Sequence, residues 1–223
     1  EAAFMPENAS SMGLTAFDGK VADLSLDADS RLLAAYQGRL TDIRGRISAE
    51  QQPEVRQDLE ILAAYLQRQI DSIQTRKRLL MDWIDLPQMI ASGFNDLLSD
   101  QTPPERRARA AERLRRYVGS EPGTKPAVEL AKAQFLASRD GHLGPYRRDV
   151  EQAIGNTATY IQGVRALFTK FGIKGADGDL AKLDKQLTEY ARWEQATVLP
   201  AARAEYRLPE QVYALNLQQL GID

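Results

Sequence analysis

His142 is the single histidine of the 223-residue chain, set in the turn-rich stretch RDGHLGP (139–145), and there is no cysteine. Zinc held through histidine takes two or three such ligands, usually with one helix presenting a pair. A lone imidazole among glycines therefore reads as a surface or turn residue. The missing cysteines exclude thiolate metal sites, disulfides and cysteine nucleophiles. Serine–histidine catalysis would need His142 as its base, and no GxSxG turn offers the nucleophile. GADGD (175–179) alternates Asp177 and Asp179, yet a calcium loop also needs a third oxygen ligand and a closing glutamate. Leu180, Ala181 and Lys182 follow instead, so an N-cap role for Asp177 or Asp179 is the better reading. Glu50, Glu54, Asp58 and Glu60 are close in sequence, but nothing pairs carboxylates across the fold for acid–base work. Trp83 and Trp193 lie on apolar helical faces and read as core.

The sharpest charge feature is ERRARAAERLRRY (105–117). On a helical wheel Arg106, Arg109, Arg113 and Arg116 share one face, and Ala110, Ala111, Leu114, Tyr117 and Val118 form the buried one. Such a stripe can follow a phosphate backbone. Glu105 precedes Arg109 by four residues and Glu112 precedes Arg116 by four, which supports the helix and offsets the charge. No exposed aromatics accompany it for base stacking. The expectation is a solvated helix face or a contact with an acidic partner surface, with no nucleic acid.

These residues must be positioned by helices. Hydrophobic residues make up 43% and charged residues 27%, at a formal charge of −2, which suits a folded soluble chain with no overall pull on nucleic acid or anionic lipid. No apolar run reaches the roughly 18 to 20 residues of a membrane span, so no membrane insertion is expected. β-Branched alternating runs are missing, and the expected fold is all-α: an irregular multi-helix domain (26–223) preceded by an ordered, non-helical N-terminal arm (1–25). Phe4, Met5, Met12, Leu14, Phe17 and Val21 read as the apolar anchors of that arm. Ser25 reads as the cap of a helix carrying Leu32, Leu33, Tyr36, Leu40, Ile43 and Ile47 at helical spacing. Pro53 opens a second, with Leu59, Leu62, Leu66, Ile70 and Ile73; QTRKR (74–78) interrupts its stripe, and Pro87 predicts a kink or break. TPPE (102–105) is a capping box opening a helix to Val118. Further helices are predicted over about 127–138, from Pro145, and from Leu180 to near Pro200. Pro209 then opens the last helix, whose face carries Tyr213, Leu217 and Leu220, with Gly221 as a left-handed cap and Ile222 folding back onto Leu217.

PENASSMGLTAFDGKVADLS (6–25) resembles the opening of the bacterial family known as domain of unknown function 885. That opening has a proline, a small-residue stretch, a glycine, an aspartate and an Asp-Leu-Ser entering the first helix. Here these are Pro6, Ala9, Gly13, Asp18 and Asp23-Leu24-Ser25. LPAARAEYRLPEQVYALNLQQLGID (199–223) is similar to the family's Leu-Pro, arginine, aromatic, Arg-Leu-Pro, Tyr-Ala-Leu and Gly-Asp stretch. YRRDVEQAIGNTATYI (146–161) supports the middle. The resemblance implies a zincin-like metallopeptidase, often exported or lipid-anchored, whose His-Glu-x-x-His motif lies later in a longer chain. That motif is absent here, so no catalytic or metal-ligating residue carries over. The implied picture is an N-terminal portion, silent by itself, with zinc only in the longer parent. It would form one wall of the substrate cleft, and Tyr213, Leu217 and Leu220 would contact the rest of its own chain. Peptide is the implied substrate, and the periplasm or the outer membrane the implied location, with the cytoplasm otherwise. The rival is a non-enzymatic helical envelope module that binds a peptide or protein.

Overall fold

A computed structural model describes residues 2–222; Glu1 and Asp223, the outer bounds of the expected arm and helical domain, lie outside the described residues. The fold is all-α. Among the described residues there is no strand, only two isolated bridges, Leu80 with Leu143 and Tyr146 with Arg203.

The N-terminal arm is ordered, but it is not wholly non-helical. Pro6 sits in the first turn of α1 (Pro6–Ser11), where its missing N–H costs nothing, and Thr15–Phe17 form a 3₁₀ turn. Only part of the expected anchor set packs: Phe4 joins the hairpin cluster and Val21 the main core. Met5 and Leu14 are 44% and 51% exposed and Met12 is 82% exposed, whereas Glu7, Ser10 and Asp18 are buried. The arm is held by these polar groups together with the Phe4, Val21 and Leu24 contacts.

Next comes a helical hairpin of α2 (Ala28–Ala49) and α3 (Pro53–Leu79). Glu50 closes the link by accepting from the N–H groups of Gln51 and Gln52, both at 2.9 Å. Leu32, Tyr36, Leu40 and Ile43 meet Leu59, Leu66, Ile70 and Ile73 in a cluster separate from the main core. Ser25 does not cap α2. Its hydroxyl donates to Asp23 and accepts from Arg31, and α2 starts after Asp27. QTRKR interrupts the buried stripe of α3 as expected, while the backbone ladder continues through it to Leu79.

The main bundle begins where Pro87 predicts a break. The chain is extended over 80–85, then α4 (Leu86–Leu97) starts, with Pro87 in its first turn and the Asp85 carboxylate accepting from Gln88 N–H at 3.0 Å. The 104–117 region is two helices rather than one, α5 (Pro104–Arg107) and α6 (Ala110–Tyr117), joined by a tight turn. α7 (Ala127–Ala137), α8 (Arg147–Lys170) and α9 (Asp177–Trp193) complete the bundle. Phe94 of α4 lies at its centre, edge-on to Tyr117 at 5.8 Å and Phe168 at 5.1 Å. After α9 the helix relaxes into a π-turn (Glu194–Val198) and a 3₁₀ turn (Leu199–Ala201) that contains Pro200.

Three extended pieces stitch hairpin, α8 and C-terminal segment together. Met81 donates to Leu143 at 3.0 Å, Arg203 to Pro145 at 2.9 Å and Arg147 back to Arg203 at 2.9 Å. The approach is so close at Gly144 that a Cβ there would lie 2.0 Å from the Ala201 carbonyl oxygen. Finally α10 (Glu210–Gln219) packs on α3 through Val212. Its end is the expected cap: Gly221 has φ +73°, and Ile222 N–H donates to Leu217 at 3.0 Å.

Candidate functional site

A recess of ≈ 560 Å³ opens between the hairpin, the arm and α4. Its apolar surface comes from Leu24, Leu32 and Ile73 on one side and Leu80, Met81, Trp83, Ile84 and Met89 on the other. The two clusters it separates explain why it exists. The hairpin folds on itself, so only its base is pressed against the bundle.

Trp83 is the wall residue with the most structure behind it. It lines this cleft and also a smaller polar recess of ≈ 270 Å³ with Asp85, Gln88, Asp149 and Tyr160. Its indole N–H donates to Glu194 Oε1 at 2.8 Å. Glu194 is fully buried in the π-turn, and its Oε2 has no hydrogen-bond partner. Burial pushes this carboxyl up to about 8; the Trp83 bond opposes that, and nearby Asp85 adds to it. Beside it Tyr190 donates to the Ile84 carbonyl at 3.0 Å and stacks on Trp193 at 5.3 Å. The protonated acid thus fixes the indole that faces the cleft. Nothing singles out Glu194 in isolation, but one signal exists: it continues the buried α9 face of Leu183, Leu187 and Tyr190 at helical spacing.

Half of the arginine stripe departs from the expected solvated face: Arg109 stays exposed, whereas Arg106 and Arg113 turn into the fold. Arg113 is 0% exposed and donates to Gly93 O at 2.6 Å and Phe17 O at 3.4 Å. Arg106 grips Asp18 through Nε at 2.8 Å and Nη2 at 2.7 Å, and donates to Ser10 O at 2.7 Å. Burial alone would raise Asp18, but the Arg106 and Ser10 bonds outweigh it and hold the carboxyl below its usual range. Glu7 accepts from Tyr117 Oη at 2.6 Å and Ala22 N–H at 2.8 Å, and burial beside Glu7 pushes the Tyr117 phenol well up. Arg109 and Arg116 pair with Glu112 at 2.7 and 3.0 Å. Two of the four residues that looked like a phosphate track, Arg106 and Arg113, are a clamp on the arm.

The other candidates fall apart in space. His142 bonds through Nδ1 to the Asp140 carbonyl at 2.9 Å. Asp177 and Asp179 lie in the first turn of α9 rather than capping it, and Asp179 accepts from Ser120 Oγ at 2.7 Å. Glu54, Asp58 and Glu60 are exposed on α3, with Glu60 paired to Arg56 at 3.1 Å. Among the described residues no group of three or more histidine, cysteine, aspartate or glutamate side chains is placed to hold a metal ion. These residues offer no fit for zinc, which the resemblance implies only in the longer parent. Tyr213 and Leu220 stand 57% and 75% exposed on α10, with Leu217 half-buried beside them.

Residues 6–221 match the family described as bacterial protein of unknown function (DUF885). The chain belongs to it. No curated protein and no solved structure matches the chain. For this DUF885 member the Pro6, Asp18 and Asp23-Leu24-Ser25 of the opening motif therefore have a structural meaning. Pro6 starts α1, Asp18 is the anion in the Arg106 clamp, and Asp23 and Ser25 bind Arg31 at the edge of the cleft. No described helix is long and apolar enough to cross a membrane.

Proposed function

We propose that the chain is the helical, N-terminal part of a zincin-like metallopeptidase, lining the substrate cleft while the metal ligands and catalytic glutamate come from elsewhere in the parent. The observation that carries this is the open cleft with Trp83 held rigidly in its wall. A partly exposed aromatic set by a buried hydrogen bond is a binding element, because its orientation costs no entropy when ligand arrives. The resemblance supplies the chemistry class, and in this reading the chain's own part is binding rather than bond cleavage. Zinc belongs to the parent in this reading, peptide is the substrate, and the exposed Tyr213, Leu217 and Leu220 face the rest of the parent chain. Export to the periplasm or anchoring at the outer membrane is part of the same reading. Nucleic acid is not a partner, since Arg106 and Arg113 are committed to the arm.

The test compares the 223-residue chain with the full-length gene product, by metal analysis after dialysis and by hydrolysis of a peptide library. The expected result is zinc and turnover in the parent alone, both lost when its His-Glu-x-x-His histidines are replaced. Stoichiometric zinc, or turnover, in the 223-residue chain would overturn the proposal. A full-length product that binds peptide and never cleaves it would instead favour the envelope binding module.

A further inference from the structure

The cleft is apolar at its floor and acidic around it. Five carboxylates line it against one guanidinium, that of Arg76. Two of the five are occupied within the fold, Asp23 by Arg31 and Glu7 by Tyr117 and the Ala22 N–H. The other three, Asp29 on α2, Asp82 after α3 and Asp96 on α4, take part in no side-chain hydrogen bond or ion pair among the described residues. Asp82 is half-buried, and burial followed by the charge of Asp29 raises its carboxyl; Lys77, Arg76 and His142 offset this only in part. Neighbouring like charges in a recess are a standing cost to the empty protein, and a cation placed between them relieves it. Trp83 and Met89, which line the same cleft, suit the methylene stem of a long cationic side chain, and an indole face attracts the cation itself.

We infer that this cleft binds peptides carrying a lysine or arginine side chain, seated with its stem against Trp83 and Met89 and its charge between Asp29 and Asp82. The inference rests on reading the cleft as a peptide site, and it does not require the chain or its parent to cleave anything. Charge complementarity selects this occupant over an acidic or neutral one: an anion would face three carboxylates that no ion pair neutralises, in a partly desolvated recess.

The experiment uses the 223-residue chain and isothermal titration at low ionic strength. The probes are acetyl-Ala-Leu-Arg-Ala-amide and its citrulline counterpart, which keeps the shape and removes the charge. The arginine peptide should bind about tenfold more tightly than the citrulline peptide. Asp29→Asn with Asp82→Asn should erase that difference while leaving the citrulline affinity unchanged. Raising salt from low to about 0.2 M should weaken the arginine peptide and spare the citrulline one, a check independent of any variant. Equal binding of both peptides would overturn the charge inference, and loss of both in Trp83→Ala would show that the cleft reading survives it. No binding of either peptide would overturn both.

Discussion

A carboxyl group with one oxygen bonded and the other unpartnered in a dry site is tolerated as long as it keeps its proton. Glu194 is in that position, at about 8 against a usual 4.5. The sign of its effect on stability follows by linkage. Between those values the folded state holds a proton that the unfolded chain has released, so the contribution is complete below about 4.5 and is lost as pH rises toward 8. The loss has a limiting slope of about 1.4 kcal/mol per pH unit. Asp18 acts in the opposite sense, because its folded value is lowered: its contribution holds above the ordinary carboxylate range and disappears as pH falls through the lowered value. Thermal melts of the chain should therefore decline from about pH 5 to 8, and Glu194→Gln should flatten that decline, since its amide cannot ionise. Parallel profiles for the two proteins would mean that Glu194 is already ionised at neutral pH. Trp83 emission of the folded protein should instead shift around pH 8, where the Glu194 carboxyl itself ionises and the indole N–H faces first a neutral and then a charged oxygen.

Among the elements, the arm shows most plainly what holds this fold together. Its exposed apolar residues contribute little, while Arg106, Arg113 and Tyr117 depend on it for Asp18, Ser10 O, Phe17 O and Glu7. Removing one partner of a buried pair typically costs about 3–5 kcal/mol, because the remaining charge stays buried. Deleting residues 1–24 should therefore lower the melting temperature by well over ten degrees, or abolish folding. Met5→Ser with Leu14→Ser should shift it by no more than about two degrees, since those side chains are already half in water. If the double substitution costs as much as the deletion, the arm is an apolar strap after all. The arm also forms part of the cleft wall through Phe4 and Glu7, so its loss would open the site as well as loosen the bundle.

Over the whole molecule, two apolar clusters imply two levels of stability. The α2–α3 hairpin has its own cluster and is joined to the bundle at its base and through α10, whereas α4 is wrapped by α1, α6, α7 and α8. Hydrogen exchange should show the hairpin opening at a lower free energy than α4 and α8, as one cooperative unit. Indistinguishable protection across both would mean that the cleft does not divide the molecule. A cationic peptide bound between them should raise hairpin protection and leave α8 unchanged, because it adds contacts only across the cleft.

The all-α class, most helix positions and the Gly221 cap are legible in the residue pattern, because helical periodicity and end chemistry are local. The stripe of Leu59, Leu66, Ile70 and Ile73 shows a buried face without its partner being known. The helix opened by Pro87 is partly legible in the same way: Asp85 before it and Ile90, Phe94 and Leu97 after it supply the cap and the face. The arginine stripe is where local pattern misleads. Its spacing is that of a solvated face, yet Arg106 is met by Asp18 from 88 residues away, and Arg113 by Gly93 and Phe17. Whether a charged side chain is buried depends on acceptors brought by other elements, and no window of sequence contains them. The same holds for Glu194, whose proton is retained because Trp83, 111 residues distant, and the bundle core enclose it. The cleft arises from how two packed units lie against each other, so the carboxylates of Asp29, Asp82 and Asp96 become neighbours only when the chain folds.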